Sequence, residues 1–408
     1  MRIFYYARIK KMNILLAADV SIKDRIGGGE RVLHEQSVRL AQKGHKVCIL
    51  TRRLPAHTSA YETIDGVHEY RYDVNMDNPA AFLLTTVLNG QKLYKQLSLG
   101  TKFDVINCHQ PFSALAVNLF PGTWKIKKVY TCHSLSFEEY ISRNPQKESL
   151  GFTLNVFLRM TIERFCLNKA ARIIALSRFT KDKLVKTHRI PEHKIAILPG
   201  AADVDYFKPV MEKDVLRKEL DIPPQPLVLF TVRNLVARMG LENLVKAVPI
   251  LQKKGADVRL FIGGQGVLKE NLLALVKELG IERAVTLCGF LSKETLLKNY
   301  QMADFFILPT IELEGFGLVT VEAMACGAPV LATPIGGSVE ILGAFDRSFL
   351  FKDTSPEAMA ELIFEKYAYY KNKPDEYARL CADARAFVEK NYSWEKNVHD
   401  LEGLLCAA

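Results

Sequence analysis

Residues 314–330 read Glu-Gly-Phe-Gly-Leu-Val-Thr-Val-Glu-Ala-Met-Ala-Cys-Gly-Ala-Pro-Val, and they decide the fold that we expect for this chain. An apolar run just before them, Phe305–Leu308, predicts a short buried strand. The two glycines that follow predict a tight turn, and residues 318–326 have helical spacing that ends before a glycine. The sequence therefore predicts a strand–turn–helix unit with Glu314 in the turn and Glu322 inside the helix.

The turn and the start of this helix suit a ligand that carries both phosphates and hydroxyls. A helix N-terminus offers backbone N–H groups to a phosphate. The carboxylates of Glu314 and Glu322, one on each side of the turn, can accept hydrogen bonds from sugar hydroxyls. A nucleotide sugar has both kinds of group. An ordinary strand–turn–helix unit with one surface glutamate and one capping glutamate has the same spacing, so spacing alone does not decide between the two.

In this motif two glutamates are separated by seven residues, with Gly-Phe-Gly between them, and the second glutamate begins the string Glu-Ala-Met-Ala-Cys-Gly-Ala-Pro-Val. The motif resembles the signature of glycosyltransferase family 4. The resemblance implies a retaining enzyme of the GT-B fold, an α/β fold with two Rossmann-like domains that face each other across a cleft. It implies that Glu314 faces the donor sugar and that Glu322 holds the ribose. It also assigns four further residues to donor binding: Phe316, Gly317, Leu318 and Val319.

The length of 408 residues is enough for two domains with large cores. We expect a Rossmann-like acceptor domain over residues 1–205, completed by a C-terminal helix at about 392–408. Residues 206–226 are charged and then proline-rich, as is typical of an interdomain linker. A second Rossmann-like domain, which binds the donor, is expected over residues 227–391.

The opening of the first domain has the β–glycine–α order that is typical of a Rossmann-like domain. Ile14–Ala17 predicts a strand and a helical pattern begins at Arg31, with Gly27, Gly28 and Gly29 between them. The Gly-Gly-x-Glu pattern here resembles the N-terminal loop of the family, which implies that the three glycines lie against the donor phosphates or the acceptor. Three successive glycines are also compatible with a simple mobile loop.

Two histidines stand at the ends of predicted strands. Ligands of open parallel sheets bind beyond the carboxyl ends of the strands, so His109 and His133 are both expected at the cleft. The Thr-x-His pattern that ends at His133 resembles the family, and the resemblance implies that this side chain approaches the transferred sugar. A lone histidine is more often a structural group with satisfied hydrogen bonds, and we interpret His109 in that way.

Two arginines follow the first predicted strand of the second domain, Leu227–Thr231. Guanidinium groups at a strand end suit a diphosphate, because each can bond two oxygens. The resemblance implies that an arginine and a lysine here neutralise the departing nucleoside diphosphate. Arg233 matches the arginine. Met239 stands where the lysine is often found, and we assign the role to Arg238, one position earlier.

The resemblance also implies that the base is held through backbone groups after the strand Val285–Leu287, where Gly289 and Phe290 lie. Together these expectations describe a glycosyltransferase with a UDP- or GDP-sugar as donor and Arg233, Arg238, Glu314 and His133 as its catalytic residues. The acceptor is expected to be an envelope glycan, a glycolipid or another lipid-linked molecule. Alternatives that stay open are a nucleotide-sugar epimerase or phosphorylase of the same fold, and a non-catalytic protein that binds lipid or nucleic acid.

The charge is distributed unevenly between the two halves. The net charge of +10 divides into +13 for residues 1–205 and −3 for residues 206–408. A basic first half favours an anionic partner such as a lipid surface or a phosphate-bearing acceptor, although a solvated basic surface has the same composition. A peripheral contact with an anionic membrane is therefore one expectation. Nucleic acid is not expected as a partner, because no motif interleaves aromatic and basic residues.

The eight cysteines are scattered and form no Cys-x-x-Cys pair. This pattern is typical of reduced thiols in a cytoplasmic protein, at the inner membrane face if lipid is bound, and not of a zinc site. No apolar run of about 18 residues predicts a spanning helix. The segment Asp203-Val204-Asp205 matches an Asp-x-Asp metal motif of another glycosyltransferase fold. The family resembled here needs no metal, so we expect neither a metal nor a cofactor.

Overall fold

The structure is a computed structural model, and its residues form two compact units. The first unit lies within Met1–Pro199 and Glu395–Ala408, and the second is Gly200–Trp394. None of the helices in the described part of the chain has the length and apolar character needed to cross a bilayer. The residues that the structure describes are 10–21, 27–55, 57–144 and 149–407.

The first unit alternates strands and helices. Its elements, in chain order, are β1 (Asn13–Ala17), α1 (Gly28–Gln42), β2 (Lys46–Arg52), β3 (Tyr61–Ile64), β4 (Val67–Tyr72), α2 (Pro79–Gly100), β5 (Val105–Cys108), α3 (Pro111–Leu119), β6 (Lys127–Cys132), α4 (Ser136–Arg143), α5 (Leu150–Lys169), β7 (Arg172–Ala175), α6 (Arg178–His188) and β8 (Ile195–Ile197). Among the described residues these strands form one sheet in the order β3-β4-β2-β1-β5-β6-β7-β8. The sheet is parallel except for the β3–β4 hairpin.

Strand β1 lies between β2 and β5 and is apolar on both faces, as a central parallel strand has to be. Its side chains alternate between two apolar clusters. Leu15 and Ala17 belong to the cluster that includes residues of α2, α3 and α5. Ile14 and Leu16 belong to the cluster that includes residues of α1. The helices therefore cover both faces of the sheet and leave the loops at the strand ends to carry function.

The second unit is a smaller α/β unit. Its elements are α7 (Lys213–Glu219), β9 (Leu227–Val232), α8 (Leu241–Lys253), β10 (Val258–Gly263), α9 (Lys269–Glu278), β11 (Val285–Gly289), α10 (Lys293–Met302), β12 (Phe305–Leu308), α11 (Leu318–Ala325), β13 (Val330–Ala332), α12 (Gly337–Phe345), α13 (Pro356–Lys371) and α14 (Pro374–Asn391). The described strands form a parallel sheet in the order β11-β10-β9-β12-β13. The order reverses between β9 and β12, and such a reversal is where α/β sheets bind ligands.

The last helix, α15 (Trp394–Ala407), returns to the first unit from Glu395 on. Val398, Leu401 and Leu405 are buried in the same apolar cluster as Ile14 of β1. A buried hydrogen bond of 3.0 Å from Gln36 Nε2 to Asn397 Oδ1 also joins α15 to α1. The final residues of the chain are thus part of the core of its first unit.

Residues 206–226, which we expected to link the two domains, lie in the second unit and contain the helix α7. The Arg217 guanidinium of α7 donates hydrogen bonds of 2.9 and 2.7 Å to the Met302 carbonyl oxygen. It also forms an ion pair of 2.7 Å with Asp304. A charged residue of this segment therefore holds α7 on the second unit. Composition alone does not distinguish the charges of a linker from charges that form ion pairs within a domain.

Candidate active site

Arg233 and Glu314 meet at the carboxyl ends of the neighbouring strands β9 and β12. The Arg233 guanidinium forms an ion pair with the Glu314 carboxylate and donates a hydrogen bond of 3.1 Å to Thr310 Oγ1. Thr310 Oγ1 in turn donates to Glu314 Oε2 at 2.9 Å. The Arg233 and Glu314 side chains are each only 8% exposed. The structure thus brings together two residues that the sequence predicted from separate segments, and it adds a threonine hydroxyl to them.

Met239, at the position where the family often has a lysine, lies against Arg233. Its sulfur is 3.2 Å from Arg233 Nε and 3.0 Å from Arg233 Nη2. A thioether is a weak, neutral acceptor, so it orients the guanidinium without adding a second charge. Where the family often has a lysine, this chain therefore has a neutral sulfur that contacts Arg233, and it has no second positive charge there.

Arg238 contacts the backbone of the loop that leads to Glu314. Its Nη1 donates to the Leu313 carbonyl oxygen at 3.2 Å, and its own carbonyl oxygen accepts from Ile311 N at 2.9 Å. Leu313 has a φ of +57°, which is uncommon for a residue other than glycine. The hydrogen bonds of Arg238 therefore hold the loop in a conformation that its sequence alone does not favour.

The start of α11 has no side-chain cap. Gly317, the residue that precedes the helix, has a φ of +88° and no side chain with which to occupy the first N–H groups. A Cβ atom built on it would lie 3.2 Å from Thr320 Oγ1 and 3.7 Å from Glu314 Oε1. Thr320 Oγ1 is buried and has no hydrogen-bond partner in the described part of the chain. Gly317 thus lies beside the Thr320 hydroxyl, the Glu314 carboxylate and the N-terminus of α11, and it places no side chain between them.

The loop between Glu314 and α11 is held by packing on its own unit. The Glu314 carbonyl oxygen accepts a hydrogen bond of 2.9 Å from Gly337 N. Phe316 is buried, with its ring centre 5.7 Å from that of Tyr392. Leu318, which is also buried, contacts Gly200 together with Phe316, and Val319 is half-buried. Most of the side chains assigned to donor binding here fix the shape of the loop, and its backbone is left for a ligand.

Glu322 lies inside α11 and is 1% exposed. Its Oε2 accepts a hydrogen bond of 3.0 Å from the hydroxyl of Tyr300, which is itself buried against the rings of Phe230 and Phe306. At the end of the edge strand β11, the Gly289 carbonyl oxygen accepts from Gly264 N at 2.7 Å, and the Phe290 side chain is exposed. The second glutamate of the motif is thus buried in the unit, and the exposed Phe290 ring follows a strand that β10 and β9 separate from β12.

His109 and His133 lie side by side at the carboxyl ends of β5 and β6 in the first unit. His109 Nδ1 is 3.0 Å from His133 Nε2, and the two rings stack with their centres 5.2 Å apart. Burial lowers the pKa of His133 to about 4, against the opposing effect of Glu139. Burial lowers the pKa of His109 well below its ordinary value, and the neighbouring His133 lowers it further. Both rings are therefore neutral near pH 7.

Gly29 lies against the His133 ring, and a Cβ atom at residue 29 would be 3.2 Å from His133 Cγ. Gly28 and Gly29 are in the first turn of α1, which starts three residues before the expected Arg31. Glycine therefore serves here to bring a helix close to an imidazole and not to form a loop. Gly27 precedes the helix in an extended conformation.

The comparisons with known proteins agree with one another. The family described as "Glycosyltransferase Family 4" matches residues 26–206, and the one described as "Glycosyl transferases group 1" matches residues 212–380. An uncharacterized glycosyltransferase of Methanocaldococcus jannaschii is 25% identical over 365 residues, which are 87% of this chain and 88% of the relative. The chain belongs to glycosyltransferase family 4.

Two further matches extend this assignment. The D-inositol 3-phosphate glycosyltransferase of Corynebacterium urealyticum is 26% identical over 394 residues, which are 92% of this chain and 89% of that protein. The crystal structure of Anabaena HepE in complex with UDP and glucose covers 97% of this chain and 100% of its own, with a TM-score of 0.78 and 17% identity. This family 4 glycosyltransferase has the GT-B fold.

Several polar residues of this glycosyltransferase escaped the sequence analysis. In the second unit they are Thr310, Thr320 and Tyr300. In the first they are Asn107, which contacts His109, and Thr131, which contacts Asn107. The sequence signal available for Asn107 and Thr131 was the two-residue period of a strand. Asn107 is two residues before His109, and Thr131 is two residues before His133, so each pair shares one face of its strand.

No three His, Cys, Asp or Glu side chains of the described residues are close enough to share a metal ion. Within the segment Asp203-Val204-Asp205, Asp203 Oδ1 accepts a hydrogen bond of 3.2 Å from Tyr206 N and so forms a turn. This is a common use of an aspartate that ends an irregular segment.

Proposed function

We propose that this glycosyltransferase transfers a sugar from a nucleotide sugar to a phosphate-bearing acceptor, with retention of anomeric configuration and without a metal ion. The observation that carries the proposal is the Arg233–Glu314–Thr310 cluster beside the uncapped start of α11. Retention and independence from metal are carried over from the family resemblance. The expected acceptor is a phosphorylated polyol, or a lipid-linked or envelope glycan that bears a phosphate.

Negative charge develops on the departing diphosphate in such a reaction, and groups that meet this charge accelerate it. The Arg233 guanidinium and the N-terminus of α11 are the groups of this chain that would do so, with the Thr320 hydroxyl as a further donor. Glu314 would accept hydrogen bonds from hydroxyls of the transferred sugar. Arg238 would act by holding the loop and by adding positive charge near it, and Glu322 by binding the ribose.

UDP-sugars are the donors that we place first. The support is the Anabaena HepE structure, which holds UDP and glucose and shares the fold of this chain. The exposed ring of Phe290 and the backbone at Gly289 would meet the base. GDP- and ADP-sugars are the competing donors, and a panel of the three decides between them.

Two arginines of the first unit support a phosphate-bearing acceptor. The Arg159 guanidinium lies 5.0 Å from the ring centre of Phe112, and that of Arg52 lies 5.7 Å from the ring centre of Phe82. The two rings meet edge to face at 5.2 Å, so both cations lie around one aromatic pair. Arg159 Nε donates a hydrogen bond of 2.9 Å to Asn155 Oδ1, and the charge of Asp19 acts on its guanidinium. Two neighbouring guanidinium groups suit a phosphate, and the name of the Corynebacterium relative includes such an acceptor.

A membrane contact of the first unit is supported by exposed apolar residues on two helices that both pack on α3. We call this set the α2–α5 surface, and it consists of Leu84, Leu88, Leu150, Leu154 and Phe157, all at least 55% exposed. Lys92 and Lys95 continue the exposed stripe of α2. Apolar side chains flanked by lysines are typical of a surface that binds anionic lipid.

The function is tested by incubating the chain with UDP-, GDP- and ADP-glucose, with and without inositol phosphate as acceptor, in EDTA. We expect UDP-glucose to raise the melting temperature and UDP to be released only with the acceptor. Nuclear magnetic resonance of the product would report the anomeric configuration. A donor sugar that changes without acceptor would indicate an epimerase, and a requirement for added Mg²⁺ or Mn²⁺ would contradict the metal-independent reaction.

The acceptor and lipid contacts need variants with matched controls. Arg159→Ala should raise KM for inositol phosphate by about tenfold and leave KM for the donor unchanged, whereas Arg164→Ala on the same helix should change neither. Leu154→Ser/Phe157→Ser should weaken binding to vesicles that contain phosphatidylglycerol. Its control is Met211→Ser/Val267→Ser, an equally exposed apolar pair in the second unit. Equal lipid binding by both double variants would contradict the proposed surface.

A further inference from the structure

Four polar side chains at the ends of β5 and β6 form a continuous hydrogen-bonded chain. Thr131 Oγ1 donates to Asn107 Oδ1 at 3.0 Å, Asn107 Nδ2 is 3.1 Å from His109 Nε2, and His109 Nδ1 is 3.0 Å from His133 Nε2. Strands β5 and β6 pair in parallel, with Asn107 opposite Val129. This pairing brings the four residues together at the carboxyl ends of the two strands. We call this set the histidine relay.

The direction of the relay follows from its first member. In the described part of the chain the Thr131 hydroxyl has no acceptor other than Asn107 Oδ1, so its proton goes there. An amide has one oxygen and one NH₂ group, so the NH₂ group of Asn107 faces His109 and donates to Nε2. A neutral imidazole has one donor and one acceptor, so the proton of His109 is on Nδ1. It points at His133 Nε2, which must accept it.

The proton of His133 is therefore on Nδ1. The relay needs both rings to be neutral. A protonated His109 would present a second donor to the Asn107 NH₂ group, and a protonated His133 would present a second donor to His109 Nδ1. Burial lowers the pKa of both histidines, and the neighbouring His133 lowers that of His109 further, so both rings are neutral near pH 7. The relay thus selects one of the two neutral tautomers of His133.

His133 Nδ1 is buried and has no hydrogen-bond partner among the described residues. A buried N–H without a partner lowers stability, and the cost is relieved when a ligand supplies an acceptor. The close approach of Gly29 to the ring restricts its rotation, so the donor keeps its direction. A sugar hydroxyl oxygen is an acceptor of the right kind.

We propose that Thr131, Asn107 and His109 are positioning residues that hold His133 in the tautomer protonated at Nδ1, so that it donates a hydrogen bond to an oxygen of the transferred sugar. The identity of this ligand rests on the proposed function. The tautomer is a property of the protein alone and can be measured without substrate. His133 then acts as a neutral donor, neither as a base nor as a cation.

The test is nitrogen-15 NMR of the full chain labelled at histidine, near pH 7.5, which distinguishes protonated from bare ring nitrogens. We expect His133 and His109 both to be protonated at Nδ1 and bare at Nε2. Protonation of His133 at Nε2, or an even mixture of tautomers, would overturn the proposal. If the chain transfers no sugar at all, the proposed function fails, and the spectrum still decides the tautomer.

Asn107→Asp provides the sharpest variant. A carboxylate only accepts, so His109 Nε2 would donate to it. Above the pKa of His109, which the carboxylate raises, neutral His109 would accept at Nδ1 and His133 would be protonated at Nε2 instead. We expect the tautomers of both histidines to reverse and kcat to fall by about 100-fold, with little change in KM for the donor. A reversed tautomer with unchanged kcat would overturn the role in transfer.

Thr131→Val is a second variant, in case the aspartate prevents folding. It removes the hydroxyl that orients the amide, so both tautomers of His133 should appear and kcat should fall. Thr51→Val is the matched control, because Thr51 is a buried threonine on β2 of the same sheet and its hydroxyl has no partner in the described residues. It should leave both the spectrum and kcat unchanged. An equal loss of kcat in the two valine variants would contradict the relay.

Discussion

The Arg233–Glu314 pair of the second unit and the His109–His133 pair of the first are built in opposite ways. Both lie at the carboxyl ends of neighbouring parallel strands and both are largely buried. In the second unit two opposite charges stabilise each other. In the first, two rings that would repel each other if protonated share a hydrogen bond as neutral groups. One pair combines a cation with an anion, and the other consists of two neutral rings whose donors and acceptors have fixed directions.

The two pairs are sensitive to different changes. The charged pair depends on the presence of both partners, because a buried charge without its partner is costly. The neutral pair depends on pH, because both of its rings have to stay uncharged. Under the proposed function, the cation and the N–H groups of the second unit would meet a diphosphate, and the relay of the first unit would supply a neutral donor.

Arg233→Ala should have the largest effect, because it removes the cation that we propose for the diphosphate and leaves the buried Glu314 without its partner. We expect kcat to fall by roughly 10²–10³-fold, or about 3–4 kcal/mol of transition-state stabilisation. We also expect a lower free energy of unfolding in urea. Arg233→Met/Glu314→Gln, which removes both charges, should recover much of the stability but none of the activity.

Arg283→Ala is the control for this variant, because Arg283 is an exposed arginine of the same unit. It should leave kcat and unfolding unchanged. Normal turnover by Arg233→Ala at saturating donor would show that the charged pair is structural only, and the contrast between the two units would disappear.

Acid should weaken the neutral pair. The pKa of His133 is lowered from 6.5 to about 4 in the folded chain, so the unfolded chain binds this proton first. Stability due to neutral His133 is complete above pH 6.5 and falls as the pH drops towards 4, by on the order of 3 kcal/mol. His133→Gln should make the loss of unfolding free energy between pH 7 and pH 4.5 shallower by an amount of this order.

Urea denaturation at the two pH values measures the effect. His193→Gln, at an exposed histidine of the same unit, should leave the pH dependence as it is in the native chain. An identical slope for both variants would mean that folding leaves the pKa of His133 unchanged, which would break the contrast with the ion pair.

Gly317→Ala should have the smallest effect of the three and tests whether shape matters beside charge. A residue with a side chain at a φ of +88° costs about 1–2 kcal/mol, and its Cβ would stand between Thr320 Oγ1 and Glu314. We expect KM for the donor to rise by about tenfold with Arg233 untouched. Gly343→Ala in α12, where a Cβ meets nothing within 4 Å, should leave KM unchanged. Isothermal titration with UDP would measure the same difference as binding.

The candidate site of the second unit was easier to predict from the sequence, because most of its residues lie in one continuous motif. The strand Phe305–Leu308 and the turn at Glu314 were confirmed, and α11 begins at the expected Leu318. Local spacing was sufficient there, since strand, turn and helix follow one another. What it did not reveal was Thr310, whose role comes from its contact with an arginine far away in the sequence.

The first unit was less predictable because its polar site depends on the register between strands. Asn107 and Thr131 are 24 residues apart and meet only because β5 pairs with β6. From the sequence alone, His109 was therefore interpreted as a separate structural residue. The predicted start of α1 was too late, because glycines are poor helix formers. The reason for the glycines, the close His133 ring, is remote in sequence.

The return of α15 to the first unit has a consequence for biosynthesis. The apolar cluster around β1 includes Val398, Leu401 and Leu405, which follow the whole second unit in chain order. The strands of the first unit are thus translated before the second unit, yet their core is incomplete until α15 has also been made. A nascent chain stalled after Trp394 exposes the apolar side chains that α15 would cover, and these side chains form a surface that chaperones can bind.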